Sequence, residues 1–234
     1  MTSQRRLDGA DQGAEAWPAP ERGNVWDERG EAYRESDAHR GGEDLDQLVE
    51  WARGARTALD VASGGGHVAR RLREAGLEVV TCDPSPGMQP DVICRAEDIP
   101  FASGSFDVVA CRTAPHHFED VAQAVREMAR VAAEQVLIVD TVNMGEDVER
   151  AEKLRDPSHV RNYDEAEWLE LVEQAGLRVV ETKTFEHSFD LDAWLARTGC
   201  AGEEAREVVR LLGDRARDGR LTLAKLAIHA VKEG

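Results

Sequence analysis

One segment early in the chain constrains the fold more than any other. Residues 58–69 read ALDVASGGGHVA, an apolar run that leads into three consecutive glycines and then into a helical pattern. Because glycine has no Cβ, such a turn lets the backbone approach a bound ligand closely. The spacing of Gly64, Gly66 and Ala69 also matches the G-x-G-x-x-G/A pattern of dinucleotide sites. The segment predicts a strand–turn–helix unit that binds a nucleotide-like group.

The rest of the chain alternates strand-like apolar runs with helical patterns, which indicates a parallel sheet covered by helices on both faces. Ligands of such sheets bind beyond the carboxyl ends of the strands, so the chemistry is expected after the first four strands. Strands are predicted at residues 58–62, 77–82, 91–94, 106–111, 135–142, 178–185 and 221–231. Helices are predicted near residues 45–51, at 67–75, 118–131 and 163–175, and twice between 191 and 217.

Charge and composition disfavour several functions. The chain has 46 acidic and 29 basic residues and a formal net charge of −17. Nucleic acids and anionic membrane surfaces both select clustered cations, so neither is an expected partner. No apolar run reaches the roughly 18 residues of a membrane span, and the first residues lack the apolar core of a signal peptide, which predicts a cytoplasmic protein. The four cysteines are far apart and lack zinc-ligand spacing, so neither a disulfide nor a bound metal is expected.

An acidic residue, Asp83, ends the second predicted strand, where a carboxylate can accept hydrogen bonds from two ribose hydroxyls. NAD and S-adenosylmethionine both contain such a ribose, so Asp83 does not choose between them. Asp60 favours S-adenosylmethionine, because dinucleotide sites usually keep an apolar residue there and a carboxylate can serve an ammonium group directly or through the loop. Two further features favour S-adenosylmethionine. Met88 in DPSPGM can cover an adenine face, and residues 95–112 place a polar turn before an apolar strand at the spacing seen in methyltransferases.

Together these motifs resemble the class I S-adenosylmethionine-dependent methyltransferases, in the branch that includes the menaquinone and ubiquinone C-methyltransferases and many small-molecule methyltransferases. The resemblance covers residues 33–142 and rests on DVASGGG, DPSPGM, AEDIPF, SFDVV and HHFEDVAQAVREMARV. It continues through DPSHVR at residues 156–161, which resembles a segment in some uncharacterised members. It implies an α/β, Rossmann-like fold with a seven-stranded, mostly parallel sheet, helices on both faces and an antiparallel last strand. It also implies S-adenosylmethionine as cofactor, with S-adenosylhomocysteine as product.

The resemblance assigns a role to each cofactor residue. The glycine turn lies against the methionine portion, Asp83 binds the ribose, Met88 flanks the adenine, and Arg112 offers its backbone carbonyl near the cofactor's amino group. The complete set is Asp60, Ala62, Gly64, Gly66, Asp83, Pro84, Met88, Ala96, Glu97 and Arg112, of which Ala96 and Glu97 meet the adenine edge. The sequence also departs from the family pattern. Arg95 replaces an Asp that often takes the adenine amino group, so either Glu97 or Asp98 substitutes for it or the contact is missing. Residues 83–94 leave no room for the usual helix, and the turn before the fifth strand reads AAEQ.

The domain organisation is predicted from composition and from the same resemblance. Residues 1–28 are polar and without sustained periodicity, and are predicted to form a mobile tail. Residues 29–234 are predicted to form one methyltransferase domain, in which residues 29–54 supply lid or packing helices. Residues 144–162 and 190–218 are predicted insertions on the side where the methyl acceptor binds. The sequence gives no indication of oligomeric state.

Three histidines are the candidate catalytic residues. His116 and His117 follow the fourth strand, where an imidazole is placed to take a proton from the acceptor, although a structural role in orienting the loop is the alternative. His159, in DPSHVR, lies in a region that contributes acceptor contacts in this fold. Tyr33, Arg155, Arg161 and Tyr163 are the candidate acceptor-binding residues. The alternatives are a solvated, salt-bridged loop for the last three and helix packing for Tyr33.

The function that these residues predict is methyl transfer from S-adenosylmethionine to a small organic acceptor by in-line displacement. A good leaving group is already present at the sulfonium, so the enzyme's main task is to hold the two reactants at attack distance. Two alternatives stay open at this point. One is a catalytically silent S-adenosylmethionine-binding regulatory protein, and the other is a nicotinamide-dependent oxidoreductase.

Overall fold

The computed structural model describes residues 40–233 together with Gly30. The predicted tail at 1–28, and Tyr33, lie outside the described residues. The strands are β1 Thr57–Val61, β2 Glu78–Asp83, β3 Val92–Ile93, β4 Phe106–Arg112, β5 Ala132–Thr141, β6 Leu177–Asp190, β7 Ala216–Arg217 and β8 Arg220–Lys232. The helices are α1 Glu43–Trp51, α2 His67–Glu74, α3 Val121–Val131, α4 Glu146–Arg155, α5 Glu165–Gln174, α6 Leu191–Ala196 and α7 Gly202–Leu212.

The strands form one sheet in the order β3-β2-β1-β4-β5-β8-β6, with β7 paired to β8. The first five strands run parallel, whereas β8 is antiparallel to both β5 and β6. The prediction of a mostly parallel sheet with an antiparallel last strand is therefore confirmed. The sheet differs from the predicted seven strands by β7, a two-residue strand that forms a hairpin with the start of β8.

Burial on both faces explains the apolar composition of the central strands. Successive residues of β4 enter two different core clusters: Val109 and Cys111 pack on one face, and Val108 and Ala110 on the other. The first face is covered by α3 and α5, which contribute Val125, Met128 and Trp168. The second face is covered by α1 and α2, which contribute Leu45, Leu48 and Leu72.

A third cluster joins the two segments that were predicted to be acceptor-side insertions. Helices α4, α6 and α7 pack together against the first half of β8. Its buried members include Val148, Ala151, Trp194, Leu195, Val208, Leu211 and Leu221. Helix α4 was not predicted, because its sequence EDVERAEKLR has only three apolar side chains and its N-cap, Gly145, makes no side-chain capping hydrogen bond.

Other helix ends follow the sequence signals closely. The predicted N-cap Asp164 begins α5 and forms a capping box with Glu167, each side chain accepting a hydrogen bond from the other's backbone N–H. Gly176, the predicted stop, has a φ of 77°, which favours glycine. Between residues 40 and 233, the structure contains no helix long and apolar enough to cross a bilayer.

Candidate active site

The glycine turn that follows β1 is bound to the end of β2 through Asp83. Its carboxylate accepts hydrogen bonds from the backbone N–H of Gly64 at 2.9 Å and from that of Ser85 at 2.9 Å. Gly64 and Gly66 have φ values of 49° and 71°, which favour glycine. A Cβ built on either one would meet no heavy atom within 4 Å, so open space lies over the turn. This open, glycine-lined turn beside a carboxylate fits the ribose and methionine portions of S-adenosylmethionine.

Asp60 lies beneath this turn and is 1% exposed. Its carboxylate accepts a hydrogen bond from the backbone N–H of Ala69, in the first turn of α2, at 2.9 Å. The N-cap residue Gly66 has no side chain that could cap α2. Asp60 instead accepts a hydrogen bond from one of the free N–H groups at the start of this helix, from within the sheet. Burial raises the pKa of Asp60 to about 7; Asp83 raises it too, while the Ala69 N–H, Arg73 and Arg112 act in the opposite direction.

The predicted adenine side consists of two short segments. Pro84 leads into a 3₁₀ turn that ends at the buried Met88, and Ala96 is buried in the main core cluster. No regular α-helix lies between β2 and β3, as the sequence indicated.

The carboxylate of Glu97 has several partners in this structure. It pairs with Arg95 at 3.3 Å and accepts hydrogen bonds from the backbone N–H groups of Glu119 at 3.1 Å and Asp120 at 3.4 Å. Arg95 also pairs with the Glu119 carboxylate at 2.8 Å. Glu97 thus anchors the loop before α3, and Arg95, one of the departures from the family pattern, supports that anchor.

A buried ion network lies where β4 ends. The Arg112 guanidinium donates two hydrogen bonds to Asp44 of α1, at 2.8 and 3.1 Å, and Lys225 of β8 donates to the same carboxylate at 3.2 Å. Lys225 also donates to Thr113, whose φ of 55° is unusual for a β-branched residue. Burial and the charge of Arg112 lower the pKa of Lys225 to about 8, against the raising effects of Asp44 and Asp140. Burial by itself would raise the pKa of Asp44, but the charges of Lys225 and Arg112 hold that pKa well below its usual range.

His116 forms a dyad with Asp140, which is on β5 and 1% exposed. The Nδ1 atom of His116 lies 2.6 Å from one oxygen of Asp140, and its backbone N–H donates to the other oxygen at 2.8 Å. Burial alone would lower the pKa of His116, but the charge of Asp140 and the hydrogen bond to it outweigh burial and raise that pKa. The carboxylate therefore orients the imidazole and stabilises its protonated form.

His117 and His159 complete a cluster of three imidazoles around this dyad. The ring centre of His116 is 4.1 Å from that of His117 and 5.4 Å from that of His159. The Nδ1 atom of His117 lies 3.1 Å from the backbone carbonyl oxygen of Ser158. Burial, and then the neighbouring imidazole of His116, lower the pKa of His117 well below its ordinary value. The structure thus brings together the three histidines that the sequence analysis selected.

The predicted acceptor-binding residues fall into two separate contacts. The Arg161 guanidinium stacks on the Tyr163 ring at 4.4 Å and pairs with the Glu167 carboxylate, as the salt-bridged alternative for this residue expected. Arg155 instead stacks on the Trp194 ring at 4.1 Å and donates to the backbone carbonyl of the same residue at 3.1 Å. Burial raises the pKa of Tyr163. Arg161 and Tyr163 therefore share one surface, whereas Arg155 joins α4 to α6.

Several site residues were missed by sequence reasoning. Asp140 carried a usable signal, since it lies next to the end of an apolar strand, much as Asp83 lies at the end of β2. Asp44 and Lys225 carried none, because Asp44 meets Arg112 across 68 residues of the chain and Lys225 meets Asp44 across 181. Glu149, Glu152 and Asn162 were missed with α4. Burial raises the pKa of Glu152, against the lowering effects of His159, His116 and Asn162.

Comparisons with known proteins find methyltransferases of similar sequence and fold. The family described as "Methyltransferase domain" matches residues 59–139. The "Uncharacterized methyltransferase YcgJ" of Bacillus subtilis is 30% identical over 215 residues, covering 80% of this chain and 85% of that protein. The crystal structure of YcgJ superposes with a TM-score of 0.73 at 27% identity, covering 82% of this chain and 99% of that chain. A demethylmenaquinone methyltransferase of Beutenbergia cavernae is 36% identical over 90 residues, 34% of this chain and 38% of that protein.

Proposed function

Because this chain belongs to the class I S-adenosylmethionine-dependent methyltransferases, we propose that its acceptor is a small organic molecule whose reacting atom loses a proton as it is methylated. Family membership disfavours the nicotinamide-dependent oxidoreductase. The observation that carries the proposal is the dyad of His116 and Asp140 beyond the carboxyl end of β4, one strand from the glycine turn. A proton acceptor is useful to a methyltransferase only when its substrate has a proton to give up.

When bound, the cofactor would supply a methyl group on a sulfonium, and the sulfur would leave as a thioether. The chain's own contribution begins with Asp83, which orients the ribose while it fixes the turn at Gly64. Asp60 holds the start of α2 and so sets the position of the same turn. The residues on these elements place the sulfonium and acceptor at attack distance, an effect that can supply about 7–11 kcal/mol of the barrier.

His116 receives the proton in this mechanism. Its Nδ1 is committed to Asp140, so Nε2 is the ring nitrogen left to face an acceptor. The carboxylate keeps the proton of the neutral ring on Nδ1 and stabilises the imidazolium that forms. His117 and the pair of Arg161 and Tyr163 are assigned to acceptor binding. The stacked guanidinium and phenol ring offer a flat surface that suits an aromatic acceptor such as a phenol, while Glu167 balances the charge of Arg161.

The first experiment tests the cofactor. Calorimetry should show binding of S-adenosylmethionine and S-adenosylhomocysteine to the wild-type chain, and Asp83→Asn should weaken it because the amide keeps only one acceptor oxygen. Asp218→Asn, the same substitution in an exposed turn between β7 and β8, is the matched control and should bind normally. No binding by the wild-type chain at millimolar cofactor would remove the proposal.

The second experiment tests transfer. Release of labelled methyl from the cofactor should be measured over a panel of phenols, amines and carbon acids, with wild-type chain and His116→Gln. We expect transfer to at least one class, with a loss of about 10²- to 10⁴-fold in His116→Gln at unchanged cofactor affinity. Cofactor binding without transfer to any class would support the silent regulatory protein instead. Undiminished transfer by His116→Gln would remove the proton-acceptor role.

A further inference from the structure

A cluster of ligand-type side chains adjoins the three histidines and shares His159 with them. Glu149 and Glu152 are three residues apart on α4, so their carboxylates lie on the same face of the helix. His159, in the loop after the helix, brings Nε2 to 3.3 Å from a Glu149 oxygen. One donor atom from each of these three residues can be chosen so that all lie within 4.8 Å of one another. Glu152 and His159 are buried, at 8% and 3% exposure.

Asn162 joins both glutamates. Its backbone N–H donates to the two oxygens of Glu149 at 3.1 and 3.2 Å, and its side-chain Nδ2 donates to Glu152. Asn162 is fully buried, yet its Oδ1 has no hydrogen-bond partner among the described residues. A buried amide oxygen without a partner is costly, so such an atom in a polar cluster points to a ligand. Rotation of the Asn162 amide by 180° would place Oδ1, instead of Nδ2, beside the Glu152 carboxylate. Two acceptor oxygens side by side repel each other, and a cation between them removes that repulsion.

The charge balance around the cluster also favours a cation. Two carboxylates, those of Glu149 and Glu152, lie beside one imidazole, that of His159. Glu152 is buried, so water does little to offset its charge. Buried carboxylates in excess of their cationic partners are stabilised by protonation or by a metal ion.

We propose that Glu149, Glu152, His159 and Asn162 bind one divalent first-row transition metal ion. One imidazole nitrogen with carboxylate and amide oxygens suits Mn²⁺, Fe²⁺, Co²⁺ or Zn²⁺ better than Mg²⁺ or Ca²⁺, which prefer oxygen alone. The spacing of the cysteines predicted no metal site. The donors proposed here are not cysteines but come from α4 and the loop after it, so cysteine spacing cannot reveal them. The proposal does not depend on methyl transfer.

Titration with metal ions tests the proposed site directly. Untagged protein freed of metal by a chelator is titrated with Co²⁺, followed by visible absorption, and with Zn²⁺, followed by calorimetry. We expect one equivalent of each, resistant to excess Mg²⁺. Glu152→Gln and His159→Asn should each weaken Co²⁺ binding by at least about tenfold. Glu146→Gln, one turn earlier on α4 and exposed, is the matched control and should bind like the wild type.

Thermal unfolding provides a second readout that does not depend on activity. Zn²⁺ should raise the Tm of wild type and Glu146→Gln but not that of His159→Asn, because an ion that binds only the folded chain stabilises it. If Glu152→Gln does not fold, His159→Asn carries the comparison. The proposal is wrong if wild type binds no Co²⁺, if both ligand variants bind like the control, or if Mg²⁺ displaces Co²⁺ readily. S-adenosylmethionine binding, measured separately, identifies a failure of the methyltransferase proposal.

Discussion

Asp44→Asn tests the buried network that joins α1 to the sheet. In the folded chain the Asp44 side chain is 1% exposed, and those of its partners Arg112 and Lys225 are 3% and 5% exposed. The asparagine keeps the shape but removes the anion that accepts hydrogen bonds from both buried cations. Breaking a buried pair in this way costs about 3–5 kcal/mol. For a chain of this size, where 1 kcal/mol shifts Tm by about 2–4 °C, Tm should fall by roughly 6–20 °C.

The matched control lies on the same helix. Glu50 pairs with Arg53 at 2.8 Å, the same distance as between Asp44 and Arg112, but the two side chains are 53% and 73% exposed. Water already solvates such a pair, so Glu50→Gln should cost about 1 kcal/mol or less. Urea unfolding at pH 7, fitted for the free energy of unfolding, separates the two variants. Equal destabilisation of the two would refute the argument that burial, and not distance, sets the value of the pair.

The pH dependence of the same network has a definite sign. Lys225 has a pKa of about 8 in the folded chain and an ordinary value of 10.5, so the unfolded chain binds more protons between these values. Stability contributed by this group therefore increases as pH rises from about 8 to 10.5. Removal of Asp44 lowers the folded pKa of Lys225 further, so the destabilisation of Asp44→Asn should shrink between pH 7 and pH 10. A penalty that does not change with pH would show that Lys225 is not the group affected.

Three further predictions concern single carboxylates. Asp60 has a folded pKa of about 7 against an ordinary 3.8, so its contribution to stability is lost as pH rises through this window, by up to about 4 kcal/mol. The advantage of Asp60→Asn over wild type in urea unfolding should grow accordingly from pH 4 to pH 8, and a constant difference would contradict the pKa. Asp164→Ala removes the α5 N-cap and should cost about 0.5–2 kcal/mol by the same assay, while an unchanged midpoint would show that the cap is not used. Asp140→Asn leaves the His116 ring without its anion and should lower kcat by about 10²- to 10⁴-fold in the transfer assay at unchanged KM for cofactor; a change in KM alone would indicate a binding role.

The elements that the sequence predicted best are those whose pattern is local and apolar. Strands β1, β4 and β5 are buried on both faces, so their side chains form continuous apolar runs that polar turns interrupt. Helix α4 was missed because its buried face is narrow and the rest of its surface is charged. Strand β7 has two residues and exists only through its hairpin with β8, so no periodicity in the sequence can reveal it.

The sequence by itself determined the strand–glycine–helix turn and the carboxylate at the end of β2, because backbone freedom at Gly64 and the place of Asp83 at a strand end are local properties. Only the tertiary structure decided which side chains meet beyond the ends of the other strands. Parallel pairing brings the carboxyl ends of β1, β4 and β5 to one edge, and so joins His116 to Asp140 across 24 residues. Antiparallel pairing of β8 with β5 brings Lys225 to the same edge, where it meets Asp44 across 181 residues. Such contacts depend on strand order and register, which arise from packing of the whole core and leave no trace in the spacing of the residues concerned.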